Sequence, residues 1–268
     1  MVFEPAVSQY RQAVSGVKQS LPTAIDVDPD VPGSELKLAD APVVVAVGRK
    51  SLNFARAHAA ARPIVFCMVL GVASADLSRN VTGVPLEPDA KAVLADLHAI
   101  SSAFLRIGFV YNPKTTEVLA AEAVTDAKAL GLTLVATPVN GAGELKAAVE
   151  KLGAINALWL PPDPKLFSRE VFTLLLSLSA ERHIPLIGFL DSLTQAGALA
   201  SVSPNYADNG VRAGKLAAEI LARPDARRLP VPPPVFAPGN LTLNLQTAKA
   251  LGVEVSPAAI AAATQVIR

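Results

Sequence analysis

The sequence predicts an α/β fold made of two doubly wound parallel-sheet domains. Short β-branched runs alternate with alanine-rich helical segments, a rhythm that calls for parallel strands joined by helical crossovers. The alternation runs through twice within 268 residues, and each series has the size of one domain. Hydrophobic residues make up 51% of the chain and charged residues only 18%, too apolar for disorder and enough for two ordinary cores.

In the first series, Phe3 reads as the tail of an opening strand. A helix follows over about Val7–Leu21, with Tyr10, Val14 and Val17 on one face. Thr23–Val27 reads as a strand and Asp26–Ser34, rich in Asp and Pro, as a loop. Pro42–Val47 is an all-apolar strand, Ser51–Ala61 a helix, and Ile64–Val69 the next strand. Asn80–Leu86 is a short extended piece and Pro88–Ala103 a helix.

The second series opens with a strand at Arg106–Tyr111, then a helix after Asn112-Pro113, where proline suits the first helical turn. Strands at Leu132–Thr137, Ala157–Leu160 and Ile184–Leu190 alternate with helices at Ala142–Leu152 and Phe167–His183. A short helical turn is expected at Ser192–Ala196. The tail breaks the tandem: strand Ala198–Ser203, helix Tyr206–Leu221, extended Val231–Phe236, strand Thr242–Leu245, and a terminal helix opened by Ser256-Pro257 as N-cap and N1. Its simplest use is to cross back, complete the first sheet and return. That assigns 1–103 and 206–236 to an N-terminal lobe, and 104–203 and 240–268 to a C-terminal lobe. Three connections, near Ser102–Leu105, Ser203–Asn205 and Ala237–Asn240, would then form a hinge that opens one cleft.

Composition excludes several roles. The formal net charge is +1, so no electrostatic grip on nucleic acid or on an acidic membrane is expected. Cys67, the one cysteine, excludes an intrachain disulfide and a cysteine-built metal site, and its apolar context reads as core. No apolar run approaches the roughly 18–20 residues of a membrane span. No basic segment followed by an apolar stretch opens the chain, so no signal peptide is expected in it.

Catalysis finds little support. His58, His98 and His183 fall on expected helices without a serine or cysteine partner at motif spacing. G-x-S-x-G, H-E-x-x-H and G-x-G-x-x-G do not occur. Neither an enzyme activity, a cofactor nor a metal is expected.

Several stretches carry a family resemblance. They are Val43-Val44-Val45-Ala46-Val47-Gly48, Ile64-Val65-Phe66, Asn80-Val81-Thr82-Gly83-Val84, Arg106 to Pro113, and Trp159-Leu160-Pro161-Pro162-Asp163. The most specific are Ile184-Pro185-Leu186-Ile187-Gly188-Phe189 and Gly197 to Val202, followed by Tyr206 and Gly210, with Thr247 to Gly252 completing the series. In this order they resemble the type I periplasmic substrate-binding proteins of ABC importers, more closely the subfamily that includes tryptophan- and phenylalanine-binding members. The resemblance implies two Rossmann-like domains, a small-molecule ligand, an ABC permease in the inner membrane as partner, and a monomer. It also implies a periplasmic or lipid-anchored extracytoplasmic location. The chain departs from the pattern in its first strand, which is mostly missing, and in Leu70-Gly71-Val72-Ala73, where many relatives carry a polar Asp-Pro pair at the cleft.

Ligands of open parallel sheets bind beyond the carboxyl ends of the strands, where helix N-termini offer unpaired N–H groups. Gly48-Arg49-Lys50-Ser51 stands at such an end. Gly48 permits close backbone approach, Ser51 can donate, and Arg49 can hold a carboxylate bidentately; alternatively this is a strand–helix turn with solvated basic residues. Thr82 and Gly83 read as a turn with a bulge glycine or, as the resemblance implies, as a cleft wall. Tyr111, Asn112, Thr115 and Thr116 again join a strand end to a helix start; Asn112 reads as its cap, and the threonine hydroxyls as ligand donors. Asp163, after Pro162, binds a substrate ammonium or caps the loop beyond it, and Asp191, after Phe189, has the same two readings. Trp159 reads as core, and Gly210 and Gly214 as close packing onto a sheet.

The first function expected is therefore a solute receptor for an amino acid or another small carboxylate. A ligand-sensing domain of a signalling or regulatory system shares the architecture, so fold alone does not separate the two.

Overall fold

The computed structural model describes residues 1–72, 77–227 and 229–268. The chain divides into two compact units, residues 1–87 with 205–238 and residues 88–204 with 239–268.

The sheet of unit 1 has the parallel order β1 (Val44–Val47), β2 (Ile64–Val69), β3 (Val81–Pro85). Every residue of the three strands is buried, as expected of parallel strands covered on both faces. Helix α1 (Ser8–Ser20) and helix α8 (Tyr206–Leu221) pack on one face, and α2 (Arg49–His58) covers the other. The opening strand is reduced to Val2, which bridges Ala46 on one side and Val27 on the other. The strand expected at Thr23–Val27 is likewise a single bridge, because an Asp/Pro-rich loop follows it directly. Past α8, the proline-rich stretch runs beside β3, with Val231 N–H donating to the Arg79 carbonyl (2.9 Å) and Val235 N–H to that of Gly83 (3.0 Å).

Helices α1 and α8 meet backbone to backbone. A side chain at Gly210 would overlap the Ala13 carbonyl, and one at Gly16 would overlap that of Ala207. The glycines of α8 therefore pack onto a helix, not onto a sheet as the sequence suggested. The contact seats the first turn of α8, at Ala207, against Gly16 of α1.

Unit 2 holds a seven-stranded sheet in the order β10-β9-β8-β7-β6-β4-β5. Its strands are β4 (Arg106–Tyr111), β5 (Thr133–Pro138), β6 (Ala157–Trp159), β7 (Leu186–Gly188), β8 (Ala200–Pro204), β9 (Gly239–Asn244) and β10 (Gln265–Ile267). Pairing is parallel except between β8 and β9, so the sheet is mixed, and β10 went unread in the sequence. Helices α3 (Ala90–Ile100), α4 (Pro113–Ala129) and α10 (Pro257–Ala262), together with α9 (Leu245–Leu251), cover one face. Helices α5 (Leu145–Lys151), α6 (Arg169–Arg182) and α7 (Asp191–Gln195) cover the other.

Helix α3 was expected in the first domain. Its buried Val93, Leu94, Leu97 and Ile100 join the core of β4 and α4, and Ser256 ties α10 to it through the Ala99 carbonyl (2.7 Å). The first crossing between units accordingly falls at 87/88, not near Ser102–Leu105, with the others at 204/205 and 238/239. Trp159 is core, edge-on to Phe109 at 4.9 Å.

Candidate functional site

In unit 1 an open cavity of about 390 Å³ lies where β1, β2 and β3 end. Arg49 comes to it from the first turn of α2, Met68 and Leu70 from the end of β2, and Leu86 from just past β3. The first turn of α1 and its approach add Val7, Gln9 and Tyr10, and Tyr206 begins α8. Two aromatic rings and one guanidinium thus face a mostly apolar hollow.

Met68 owes its place to a backbone irregularity. Its φ of 57° is in the left-handed region, and the β2–β3 register shifts between Cys67 and Val69. Such a bulge re-aims one side chain out of the pleat. The unpaired Met68 N–H is taken by the Asn209 side-chain oxygen (2.8 Å), and the Asn209 amide donates to the Pro85 carbonyl (2.7 Å). Asn209, wholly buried in α8, therefore pins the ends of two strands at once.

Gly48 has φ 90° and its N–H donates to the Cys67 carbonyl; a Cβ there would collide with the Tyr10 phenol. Its role is to admit the Tyr10 ring against the strand end. Burial first, and the nearby Glu4 carboxylate second, push the Tyr10 phenol above its usual range. Arg49 is braced, its Nη2 donating to the carbonyls of Leu70 (2.9 Å) and Gly71 (3.1 Å). Ala73, which completes the departure from the family pattern at Leu70-Gly71-Val72, lies outside the described residues.

Three expected contacts of this unit take another role. Ser51 faces the core from α2, fully buried. Thr82 is equally buried inside β3, and Gly83 leaves room for Phe66, whose ring and backbone a Cβ would strike. Neither Thr82 nor Gly83 forms a turn or a wall of the cavity; both belong to the sheet.

In unit 2 the strand ends carry a closed polar knot. Asp163, 1% exposed, accepts from the Asn112 N–H (2.6 Å), the Thr116 hydroxyl (2.7 Å), the Thr115 hydroxyl (2.8 Å) and the Lys165 N–H (2.8 Å). A carboxylate offers about four lone-pair sites, so these donors fill it. Asp163 is therefore not available to a substrate ammonium, and the threonine hydroxyls point at it instead of at a ligand. Asn112 caps α4 through the Lys114 N–H (3.0 Å), as the sequence predicts, and its amide donates to the Asn140 carbonyl (3.1 Å). Tyr111 ends β4, buried, with its phenol shifted upward by burial and by a hydrogen bond to Glu117. Pro162, the residue before Asp163, is buried.

Phe189 packs against Phe167 (5.6 Å) and Phe172 (6.5 Å) in the core under α6 and α7. Asp191 differs from Asp163. It stays partly exposed, and its Oδ1 accepts from the hydroxyls of Thr242 on β9 (2.9 Å) and Ser201 on β8 (3.3 Å). The site residues that sequence reasoning missed are Tyr10, Met68, Tyr206 and the positioning Asn209. One signal was available: the chain has only three tyrosines, and two of them line this cavity.

The relatives agree with this architecture. The ligand-free, open form of a substrate-binding protein with adhesive properties from Clostridium difficile matches with TM-score 0.71 and 20% identity, covering 99% of this chain and 97% of that one. An ABC domain in complex with L-Trp from Streptococcus pneumonia matches with TM-score 0.61 and 20% identity, covering 99% of both chains. These likenesses show the fold, that of the type I periplasmic binding proteins. A tyrosine-binding protein of Clostridioides difficile (strain R20291) is 28% identical over 154 residues, 56% of this chain and 43% of that protein. This chain thus matches less than half the length of that curated relative. The family described as ABC transporter substrate binding protein matches residues 33–267. The chain belongs to the ABC transporter substrate-binding proteins, a family of solute-binding proteins and not of enzymes.

Proposed function

We propose that this protein is the extracytoplasmic solute-binding component of an ABC importer, and that it takes an amino acid or another small carboxylate. The observation that carries the reading is the cavity of unit 1, where Arg49 stands beside Tyr10 and Tyr206 at the carboxyl ends of parallel strands. A guanidinium suits a carboxylate, and flat rings suit an apolar or aromatic side chain. The tryptophan complex and the tyrosine-binding relative support an aromatic amino acid as the first ligand to try.

Of the two carboxylates at strand ends of unit 2, Asp191 retains exposure and Asp163 does not. The two lobes then close on the ligand about the three crossings, driven by the higher affinity of the closed form. The closed form is what an ABC permease in the inner membrane reads. The protein acts as a monomer and binds no nucleic acid, in keeping with a net charge of +1. Among the described residues no helix is long and apolar enough to cross a membrane.

Thermal-shift screening against amino acids and small carboxylates tests the reading. A saturable rise in melting temperature with an aromatic amino acid is expected. A complete panel without saturable stabilisation would overturn it.

A further inference from the structure

Glu87 stands outside the cavity lining, yet it is tied to it. Its carboxylate accepts from the Gly71 N–H, while the Gly71 and Leu70 carbonyls accept from Arg49 Nη2 at 3.1 and 2.9 Å. The adjoining backbone is fixed as well, with Leu86 N–H donating to the Val69 carbonyl at 3.0 Å. The other Glu87 oxygen, Oε2, is closed to solvent and has no hydrogen-bond partner among the described residues. A buried oxygen left in that condition costs stability, and the bond from the Gly71 N–H to the other oxygen offsets part of that cost. Burial raises the Glu87 pKa and the Arg49 charge opposes that rise, which places the two groups within electrostatic reach.

We infer that Glu87 is a positioning residue for the ligand carboxylate: it fixes the turn at Gly71, and the carbonyls of that turn aim the Arg49 guanidinium into the cavity. The inference rests on the proposed role of Arg49 in ligand binding. Glu87 is also the last residue of unit 1. The brace therefore joins the cavity loop to the point where the chain first leaves that unit.

Two substitutions separate aim from bulk stability. Glu87→Gln keeps an acceptor for the Gly71 N–H, whereas Glu87→Ala removes it. Amide hydrogen exchange at Gly71, read against Val65 inside β2, needs no ligand. Glu87→Ala should strip protection from Gly71 while Val65 stays protected, and Glu87→Gln should restore Gly71. Calorimetric titration with L-tryptophan and L-tyrosine then reads function: Glu87→Ala should weaken binding about tenfold and Glu87→Gln should recover most of it, as expected for loss of one charged hydrogen bond behind the contact. Unchanged Gly71 exchange in Glu87→Ala overturns the brace. Altered exchange with undiminished binding overturns its link to the ligand. If the wild type binds neither probe, an aromatic amino acid is excluded as the ligand, and Gly71 exchange still decides whether the brace exists.

Discussion

The two units put polar groups at the same topological place, the carboxyl ends of their parallel strands, and treat them in opposite ways. Unit 2 turns them on each other: Asp163 collects two backbone N–H groups and two hydroxyls and leaves no site for an outsider. Unit 1 leaves them facing a hollow, with Arg49 bonded to the Leu70 and Gly71 carbonyls and with tyrosine rings on either helix start. Polar residues at strand ends are thus not in themselves a binding site. What makes the cluster of unit 2 a structural knot is that its donors and acceptors are matched to one another.

If the knot of unit 2 is structural, breaking it should cost stability first. Asp163→Ala leaves four donors without their acceptor and should lower unfolding free energy by about 3 kcal/mol or more, measured by urea titration. Asp163→Asn, which keeps one good acceptor oxygen, should cost less. An Asp163→Asn protein of full stability and lost ligand affinity would reverse the assignment of the two regions.

The open region in turn depends on close contact behind it. Gly210→Ala forces a methyl against the Ala13 carbonyl and should destabilise by about 1–3 kcal/mol. Because α1 and α8 carry Tyr10 and Tyr206 to the cavity, ligand affinity should fall with it. Gly252→Ala, at a left-handed helix end with open space around it, gives a control whose strain is local and leaves affinity alone.

A gentler probe is pH. Burial raises the Glu87 pKa, so the native state favours its protonated form. That stability is fully present below the ordinary value of 4.5 and is lost as pH rises through the folded value. Glu87→Gln carries no such dependence. The melting temperature of the wild type should therefore fall relative to Glu87→Gln as pH is raised, and parallel profiles would contradict the burial argument.

The smallest effect is expected at Cys67, on β2 one residue before Met68. Burial pushes its thiol up to about 12. A thiol reagent near pH 8 should leave it unmodified in the folded protein and react only on denaturation. Ready labelling would mean that the end of unit 1 opens further than its strands indicate.

Much of this architecture was legible in the sequence. Continuous apolar runs such as Val43–Val47 and Ile64–Val69 carry the parallel strands, and Asn112-Pro113 and Ser256-Pro257 carry their helix starts, because strand burial and N-capping are local properties. The placement of α3 was not, since Val93, Leu94 and Leu97 are equally apolar whichever core receives them. The strand of β9 was read at Thr242–Leu245, but its antiparallel direction was not, because strand direction leaves no mark in composition. At the site, Arg49 was legible from its place after a strand. Tyr10, Met68 and Tyr206 were not, because a helix face, a one-residue bulge and a helix start converge only in three dimensions. Thr115, Thr116 and Asp163 were legible as polar but not as partners of one another.

The most direct measurement is calorimetric titration of L-tryptophan, L-tyrosine and a small aliphatic carboxylate into the wild type, Arg49→Ala and Asp163→Asn. One saturable site in the wild type is expected, weakened about tenfold or more in Arg49→Ala, as for a lost charge-assisted bond, and close to unchanged in Asp163→Asn. Binding that survives Arg49→Ala at full strength and disappears in Asp163→Asn would contradict the assignment of the ligand to the open strand ends of unit 1.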